Sequence, residues 1–340
     1  MAIATHQHRE QIHSTQNALD KLQDLVRDDL RDVNLTILDR MQSPVALIPQ
    51  LAGHLISSGG KRLRPVLTLL CAQMCSYQGQ KHIPLAACVE FIHTATLLHD
   101  DVVDDSSLRR GIESANAVWG NQASVLVGDF LFSRSFQIMV ECGSLHVLEI
   151  LSNASAVMAE GEVQQLANTN DLGITESDCL AVITAKTAQL FSAACEVGAV
   201  VAEQPKEISQ ALANFGLNFG IGFQLIDDLI DYAASDKMIG KTVGDDFREG
   251  KVTLPVLLTY KKGTKQDQEF WKRTIEREIF QDGDLEFAIK LMEQHGTFEE
   301  IKNLAEKYIS TACDELACFP ESATRQALAD AARFCVSRVY

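Results

Sequence analysis

Apolar and polar residues alternate along this chain with the spacing of amphipathic helices. Long segments rich in Ala, Leu, Ile and Val follow one another with few turn-forming residues between them, since the 340 residues include only 7 prolines and 20 glycines. A protein built from sheets would need short alternating segments with frequent turns. The pattern therefore predicts an all-α fold of ten or more helices.

The breaks between apolar segments indicate where these helices lie. An amphipathic helix is expected from Asn17, and a loop with the sequence SSGGKRLRP at residues 57–65. Thr175, followed three residues later by Asp178, predicts a capping box, and Pro205 predicts a helix end. The other helices are expected at 65–77, 84–104, 120–143, 145–167, 176–202 and 207–233, and from Leu254 to Tyr340.

The domain organisation follows from the same pattern. Residues 1–16 are polar and are predicted to be a flexible lead-in. No later segment has the composition of a linker. Residues 17–340 are therefore predicted to form a single all-α domain.

Composition and charge exclude several classes of protein. The formal net charge of -16 argues against a nucleic-acid partner, which calls for basic patches. There is no signal-peptide pattern and no apolar run of about 20 residues without a charge. Nine cysteines stand singly without a Cys-x-x-Cys spacing, which predicts free thiols in a reducing compartment. These features predict a cytoplasmic protein.

Two clusters of aspartates carry the chemistry. The first aspartate motif (Asp100, Asp101 and Asp104) lies in LLHDDVVDDSSLRRG at residues 97–111, where the carboxylates of Asp100 and Asp104 are one helical turn apart. A second aspartate motif repeats this spacing in IDDLID: Asp227, Asp228 and Asp231. Two such faces of hard oxygen ligands, with no His or Cys set, favour Mg²⁺ shared with substrate phosphates.

Basic residues near these motifs complete a site for a polyanion, because arginine and lysine both suit phosphate oxygens. Lys186 is the one most deeply embedded in apolar sequence. There is no Walker A or G-x-G-x-x-G pattern, so the predicted ligand is a diphosphate rather than a nucleotide. The candidates are Lys61, Arg62, Arg64, Arg109, Arg110, Lys186, Lys241 and Lys251.

Five blocks in order then identify a family. They are GGKRLRP (59–65), LLHDDVVDDSSLRRG (97–111), KTA (186–188), GFQLIDDLID (222–231) and GKTVGDDFREGKVTLP (240–255). From about residue 45 to the C-terminus the chain resembles the trans-isoprenyl diphosphate synthases (the polyprenyl synthetase family). FIHTATLLHDDVVD and ASVLVGDFLFSR resemble bacterial octaprenyl diphosphate synthases in particular.

The resemblance implies an isoprenoid-synthase-type helical bundle around a central cavity, a homodimer, and two or three Mg²⁺ ions per site. It implies that the allylic diphosphate ionises and that isopentenyl diphosphate attacks the resulting cation. Asp100, Asp104, Asp227 and Asp231 would hold the metal, supported by Asp101 and Asp228. Isopentenyl diphosphate would bind Lys61, Arg64, His93 and Arg110. The allylic substrate would contact Arg109, Lys186, Thr187, Gln224, Lys241 and Lys251. Asp245 and Asp246 would either reach a third ion or order their loop.

Product length is expected to depend on the residues one turn before Asp100. Ala95 and Thr96 are small where short-chain members of the family often carry aromatic side chains. An all-trans product of C40, within the range C30–C50, is therefore predicted from farnesyl diphosphate as primer, for the side chain of a quinone. Leu126, Phe130 and Met139 are candidates for the floor of the product tunnel, and peripheral membrane contact would serve product release.

Other functions remain open at this stage. A farnesyl or geranylgeranyl diphosphate synthase would favour bulky residues at 95–96. A terpene cyclase would normally replace the second aspartate motif. A non-catalytic regulatory subunit of the same fold would have lost site residues, and a helical metal-storage protein would not need the basic set.

Overall fold

The computed structural model describes residues 19–57, 60–109, 111–233 and 243–337. Most of these residues are helical, so the predicted all-α class is confirmed. Residues 19–25 are also helical. The helices from there to Asn168 are α1 (Arg27–Arg40), α2 (Leu47–Ser57), α3 (Leu63–Met74), α4 (His82–Val103), α5 (Ala115–Trp119), α6 (Asn121–Cys142) and α7 (Leu145–Asn168). Those that follow are α8 (Glu176–Ile183), α9 (Gln189–Val201), α10 (Lys206–Ala233), α11 (Asp245–Arg248), α12 (Leu254–Lys262), α13 (Lys265–Trp271), α14 (Asp284–Gln294), α15 (Thr297–Glu315) and α16 (Ala323–Val336).

Two helix boundaries lie where the sequence predicts them, one at a capping box and one at a proline. The Thr175 hydroxyl accepts the backbone N–H of Asp178, and the Asp178 carboxylate accepts the backbone N–H of Thr175, so the predicted capping box at the start of α8 is confirmed. The predicted break at Pro205 is confirmed too, since α9 ends at Val201 and α10 begins at Lys206.

Two features differ from the predicted elements. The segment expected as one helix over 176–202 contains a π-helical turn at Thr184–Ala188, between α8 and α9. A two-residue antiparallel pair, β1 (Leu108–Arg109) with β2 (Ile112–Glu113), follows the first aspartate motif. Both features are too short for the spacing of apolar residues to predict them.

The chain forms two compact units, each built from separate stretches of sequence. Unit 1 contains Met1–Ser155, Leu190–Gly216 and Glu315–Ala331, and unit 2 contains Ala156–Gln189, Leu217–Asp314 and Ala332–Tyr340. Each unit can therefore fold completely only after segments that are distant in sequence have been synthesised. The predicted single domain over 17–340, with its lead-in at 1–16, stays a prediction.

Unit 1 is centred on α4, which packs most extensively against α6 and also against α1 and α3. Buried aliphatic and aromatic side chains of α3 and α4, such as Leu69 and Phe91, fill its interior. Polar bonds pin α6 to the end of α4, where the Ser124 hydroxyl donates to the carbonyl of Leu98 at 2.9 Å. The first aspartate motif is thus held on a firmly packed helix.

Unit 2 has an aromatic core beside the second aspartate motif. Phe247 and Phe270 contact the buried ring of Trp271 edge-on, with ring centroids 6.1 and 5.2 Å from it. Tyr232, the residue after Asp231, belongs to the same cluster and is 1% exposed. The end of α10 is therefore fixed by packing at the point where its aspartates lie.

Two helical stretches, Asn121–Cys142 and Glu176–Val201, are long and apolar enough to cross a membrane by length and composition alone. Buried helices of soluble proteins meet the same criterion, and parts of both stretches are buried here. All nine cysteines are free, as predicted; six are buried, and Cys318 is exposed. Burial raises the pKa of Cys75 and of Cys179 to about 12, so both stay protonated at neutral pH.

Candidate active site

The first aspartate motif lies at the C-terminal end of α4. Asp100 and Asp104 lie one turn apart and are half-buried, whereas Asp101 is 2% exposed. The backbone N–H of Asp104 donates to the carbonyl of Asp100, so the last turn stays helical through the motif. Two carboxylates therefore share one face of the helix end, as the i,i+4 spacing predicts.

Asp101 is held by its own set of donors. The Arg109 guanidinium donates to both carboxylate oxygens, with Nε–Oδ1 at 2.8 Å and Nε–Oδ2 at 3.0 Å, and Nη2 adds a bond to Oδ1. The side-chain amide of Asn116 donates to the Asp101 backbone carbonyl at 3.0 Å. The sequence assigned Arg109 to the allylic substrate; in this structure its contact is Asp101.

The basic loop after α2 packs against α4 through two arginines. Arg62, in the left-handed region with φ 46°, forms an ion pair with Glu90 in which both side chains are largely buried. Arg64 donates from Nη1 to Nε2 of His93 at 3.2 Å, and its guanidinium lies 4.1 Å from the centroid of the Phe191 ring. Since a guanidinium can only donate, His93 accepts through a neutral Nε2 in this arrangement.

Lys61 and the predicted chain-length residues differ in exposure. Lys61 is exposed, and its backbone carbonyl accepts a hydrogen bond from the side chain of Gln23 at 3.0 Å. Ala95 is 0% exposed, and the Thr96 hydroxyl donates to the carbonyl of His93 at 2.8 Å. Of the proposed tunnel floor, Met139 is buried, whereas Leu126 is 67% exposed and therefore does not lie inside this chain.

The second aspartate motif repeats the burial of the first. Asp227 and Asp231 are half-buried on one face of α10, while Asp228 is 7% exposed. The side-chain amide of Gln224 donates to Oδ1 of Asp228 at 2.7 Å. Both motifs thus keep the i and i+4 carboxylates on one face and satisfy the intervening one internally, by a cation in the first motif and by an amide in the second.

Lys186 and Thr187 lie on the π turn, and their side chains contact different helices. The Lys186 ammonium lies 2.6 Å from Oε2 of Glu162 and 2.8 Å from Oε1 of Gln165. The Thr187 hydroxyl donates to Oε1 of Gln224 at 2.9 Å. The structure therefore brings Thr187 and Gln224 together with Asp228, as expected for residues that act in one place.

Helix α11 contacts the second aspartate motif. The backbone N–H of Asp246 donates to Oδ2 of Asp231 at 3.2 Å. Burial, together with the nearby carboxylates of Asp231 and Asp228, raises the pKa of Asp246 well above its usual value. Lys251 forms an ion pair with Glu249 at 2.6 Å. The raised pKa of Asp246 thus reflects its burial beside the two carboxylates of the second aspartate motif.

Some predicted residues cannot be placed. Arg110 and Lys241 lie outside the described residues. Over the described ranges, no group of three or more His, Cys, Asp or Glu side chains is arranged to hold a metal ion. Mg²⁺ commonly takes one or two carboxylates and completes its shell with water and phosphate, so pairs such as Asp100 with Asp104 meet its requirement. The roles assigned to the site residues stay predictions.

Sequence reasoning missed several residues that contact the predicted set: Glu90, Asn116, Glu162 and Gln165. The spacing of Glu162 and Gln165, three apart, places both on one face of α7. A lysine embedded in apolar sequence needs an acidic partner. That requirement was a usable signal for Glu162, although the sequence does not say which acid meets it.

Comparison with known proteins places these features in a family. The Polyprenyl synthetase family model matches residues 45–292. Octaprenyl diphosphate synthase from Escherichia coli (strain K12) is 45% identical over 324 residues, covering 94% of this chain and 99% of that protein.

Solved structures agree with this assignment. A polyprenyl synthase from Caulobacter crescentus CB15, complexed with calcium and isoprenyl diphosphate, has a TM-score of 0.91 and 49% identity, covering 94% of this chain and 97% of its own. A decaprenyl diphosphate synthase from Rhodobacter capsulatus has a TM-score of 0.91 and 50% identity, covering 95% of this chain and 99% of its own. The family is generally magnesium-dependent and uses isoprenyl diphosphate substrates. The chain belongs to the polyprenyl synthetase family and is a chain-elongating trans-prenyltransferase.

Proposed function

We propose that this chain condenses isopentenyl diphosphate with farnesyl diphosphate to form all-trans octaprenyl diphosphate, the C40 precursor of a quinone side chain. The observation that carries the proposal is the matched build of the two aspartate motifs. Each presents an i,i+4 pair of half-buried carboxylates and satisfies the carboxylate between them internally.

Asp100 and Asp104 in one motif, and Asp227 and Asp231 in the other, would hold Mg²⁺. Bound there in two or three copies, Mg²⁺ would neutralise the charge that develops on the leaving diphosphate. Lys186 and Lys251 add positive charge for the same group. Thr187 and Gln224 are placed to orient the diphosphate through hydrogen bonds. Lys241, outside the described residues, is proposed for the same substrate.

The second substrate is proposed to bind at the basic loop. Arg64 of α3 and His93 of α4 are already in contact, and Lys61 lies on the loop just before α3. Arg110, outside the described residues, is proposed to complete this set. The chemistry then needs no nucleophile from the protein, because the double bond of isopentenyl diphosphate attacks the allylic cation and the released diphosphate can take the proton.

Ala95 supports a long product, since it is fully buried and leaves no aromatic ring in the path one turn before Asp100. The similarity to a decaprenyl diphosphate synthase supports C50 as the second candidate. The test incubates the purified protein with Mg²⁺, farnesyl diphosphate and labelled isopentenyl diphosphate, and resolves the products by length. A main product of C40 is expected. A main product of C50 would show that the enzyme makes decaprenyl rather than octaprenyl diphosphate. A main product of C20 or shorter would overturn the long-chain assignment.

The same assay tests the catalytic role. No condensation in the presence of Mg²⁺ would favour a non-catalytic regulatory subunit. A chelator should abolish condensation, and added Mg²⁺ should restore it. If activity survives removal of all divalent ions, the assignment of the aspartates as metal ligands fails.

A cytoplasmic homodimer is proposed as the working form, with peripheral membrane contact when the product leaves. Exposed apolar side chains on α6, including Leu126 at 67% and Val140 at 67%, support a protein or lipid contact there. Light scattering on the eluting protein gives the oligomeric state. A monomer at the concentration of the activity assay would overturn the homodimer.

A further inference from the structure

Two acceptors on one helix hold the side chain of the catalytic candidate Lys186. Its ammonium contacts Oε2 of Glu162 at 2.6 Å and Oε1 of Gln165 at 2.8 Å, and both acceptors belong to α7. The lysine and glutamate side chains are 23% and 30% exposed, so water reaches the pair. Two acceptors from one helix restrict the orientation of the ammonium, which can donate but not accept.

The backbone around the lysine is fixed by a close approach of α7 to the π turn. A Cβ atom on Gly161 would lie 2.7 Å from Cβ of Ala185 and 3.0 Å from the backbone nitrogen of Lys186. Only a glycine allows the helix to come this near, and Glu162 is the next residue along. The acceptor and the backbone that carries the lysine are thereby held at a defined separation.

The other side of the same turn leads to the second aspartate motif. The Thr187 hydroxyl donates to Gln224, whose amide donates to Asp228. Two adjacent residues of the π turn therefore make polar contacts in different directions, Lys186 with α7 and Thr187, through Gln224, with Asp228 of α10. π-helical turns are often found at functional sites, because the extra residue changes where neighbouring side chains point.

We propose that Glu162 and Gln165 are positioning residues for the prenyl transfer, which hold the Lys186 ammonium where it meets the diphosphate of the allylic substrate. The proposal rests on the function proposed above. A partly exposed ion pair contributes little to folding stability. Its loss should therefore be seen in substrate binding rather than in unfolding.

The test replaces each acceptor and measures the two substrates separately. Glu162→Ala should raise KM for farnesyl diphosphate by about tenfold, as expected for a charge-assisted contact, and leave KM for isopentenyl diphosphate unchanged. Glu162→Gln, which still offers a carbonyl oxygen, should fall between Glu162→Ala and wild type. Gln165→Ala should show a smaller shift in the same direction. The melting temperature should stay close to that of wild type in all three variants.

Matched controls are available on the same helix. Glu160 is exposed two residues earlier, and Gln164 bonds to Asn168 on its own helix. Glu160→Ala and Gln164→Ala should keep wild-type kinetics. Equal KM values for Glu162→Ala and wild type would overturn the proposal. A lowered melting temperature with both KM values raised would also overturn it, because that pattern marks a structural role.

Binding of farnesyl thiodiphosphate, measured by calorimetry, separates this proposal from the function on which it rests. If wild type neither binds the analogue nor condenses the substrates, the proposed function fails. If wild type binds it and Glu162→Ala binds it equally well, only the positioning role fails.

Discussion

Arg109 and Asp101 form a bidentate ion pair in which the carboxylate is almost completely withdrawn from water. Nε of the guanidinium lies 2.8 Å from Oδ1 and 3.0 Å from Oδ2, and Asp101 is 2% exposed. Burying a carboxylate without a counter-charge costs free energy of folding. Arg109 is therefore required for the structure of the first aspartate motif.

The first prediction concerns this pair. Arg109→Ala should lower the free energy of unfolding by about 3–5 kcal/mol, because it leaves the Asp101 carboxylate buried and unpaired. Urea denaturation followed by circular dichroism gives this value. Arg109→Lys should lose less, since it keeps the charge but not the two-point contact.

A double variant separates the pair from a substrate role. If the cost of Arg109→Ala comes from the unpaired carboxylate, Asp101→Asn should remove much of it, and Asp101→Asn/Arg109→Ala should be more stable than Arg109→Ala alone. Additive losses in stability would show that the two side chains do not depend on each other.

The second prediction concerns the carboxylates on the exposed side of the same motif. Asp100→Asn and Asp104→Asn should each lower kcat by roughly two to three orders of magnitude, the usual effect of removing one electrostatic contact to a reacting group. The measurement is condensation at saturating Mg²⁺. Asp105→Asn is the control, since Asp105 is exposed at φ 49°, a conformation that asparagine adopts readily. An inactive Asp105→Asn would mean that net charge, rather than position, matters.

The third prediction concerns product length. Ala95 is fully buried on α4, so Ala95→Phe adds a ring to packed space and should cost about 1–3 kcal/mol in stability. The ring should also stop the growing chain, giving a shorter product while the first condensation continues. Product analysis by chain length checks this. Unchanged length in a folded, active variant would show that the product does not pass Ala95.

The fourth prediction concerns acid stability of unit 2. Arg273 donates to both carboxylate oxygens of Asp284 at 2.7 and 2.8 Å, and this pairing lowers the pKa of Asp284. A lowered pKa in the folded state means that the stabilisation is complete above the unfolded pKa of about 3.9 and is lost as pH falls through the folded value. Asp284→Asn should therefore cost about 1.5–3 kcal/mol at pH 7.

The difference between Asp284→Asn and wild type should shrink as pH is lowered from 5 towards 3, because wild type then loses the same contribution. Denaturant titrations at several pH values give the curve. Asp282→Asn, at an exposed position two residues earlier, should follow wild type throughout. A gap between Asp284→Asn and wild type that is constant with pH would contradict the prediction.

Local sequence signals predicted those features that depend on neighbouring residues alone. The capping box of Thr175 with Asp178 is such a feature, because both partners lie within one turn. The shared face of Asp100 and Asp104 is another, since it follows from helix geometry. The all-α class follows from periodicity summed over the whole chain.

Features set by packing between distant segments could not be predicted in this way. The π turn at Thr184–Ala188 interrupts a sequence that is periodic throughout, and its neighbour Gly161 lies far away in the chain. Arg109 could be recognised as a phosphate ligand by type, but its bond to Asp101 depends on the short β pair that turns it back towards α4. The sequence contains many acidic residues that could pair with Lys186, and only the folded structure shows that the partner is Glu162.

If isopentenyl diphosphate binds where we propose, the pairing of Arg62 with Glu90 has a consequence for how quickly it can bind. Together with the bond from Gln23 to the Lys61 carbonyl, this pairing fixes the loop residues Lys61 and Arg62 while the protein folds. Ordering backbone costs about 1–2 kcal/mol per residue, and here that cost falls on folding instead of on the encounter with substrate. The loop should consequently behave as a preformed receptor, with association limited by diffusion and charge rather than by a slow rearrangement.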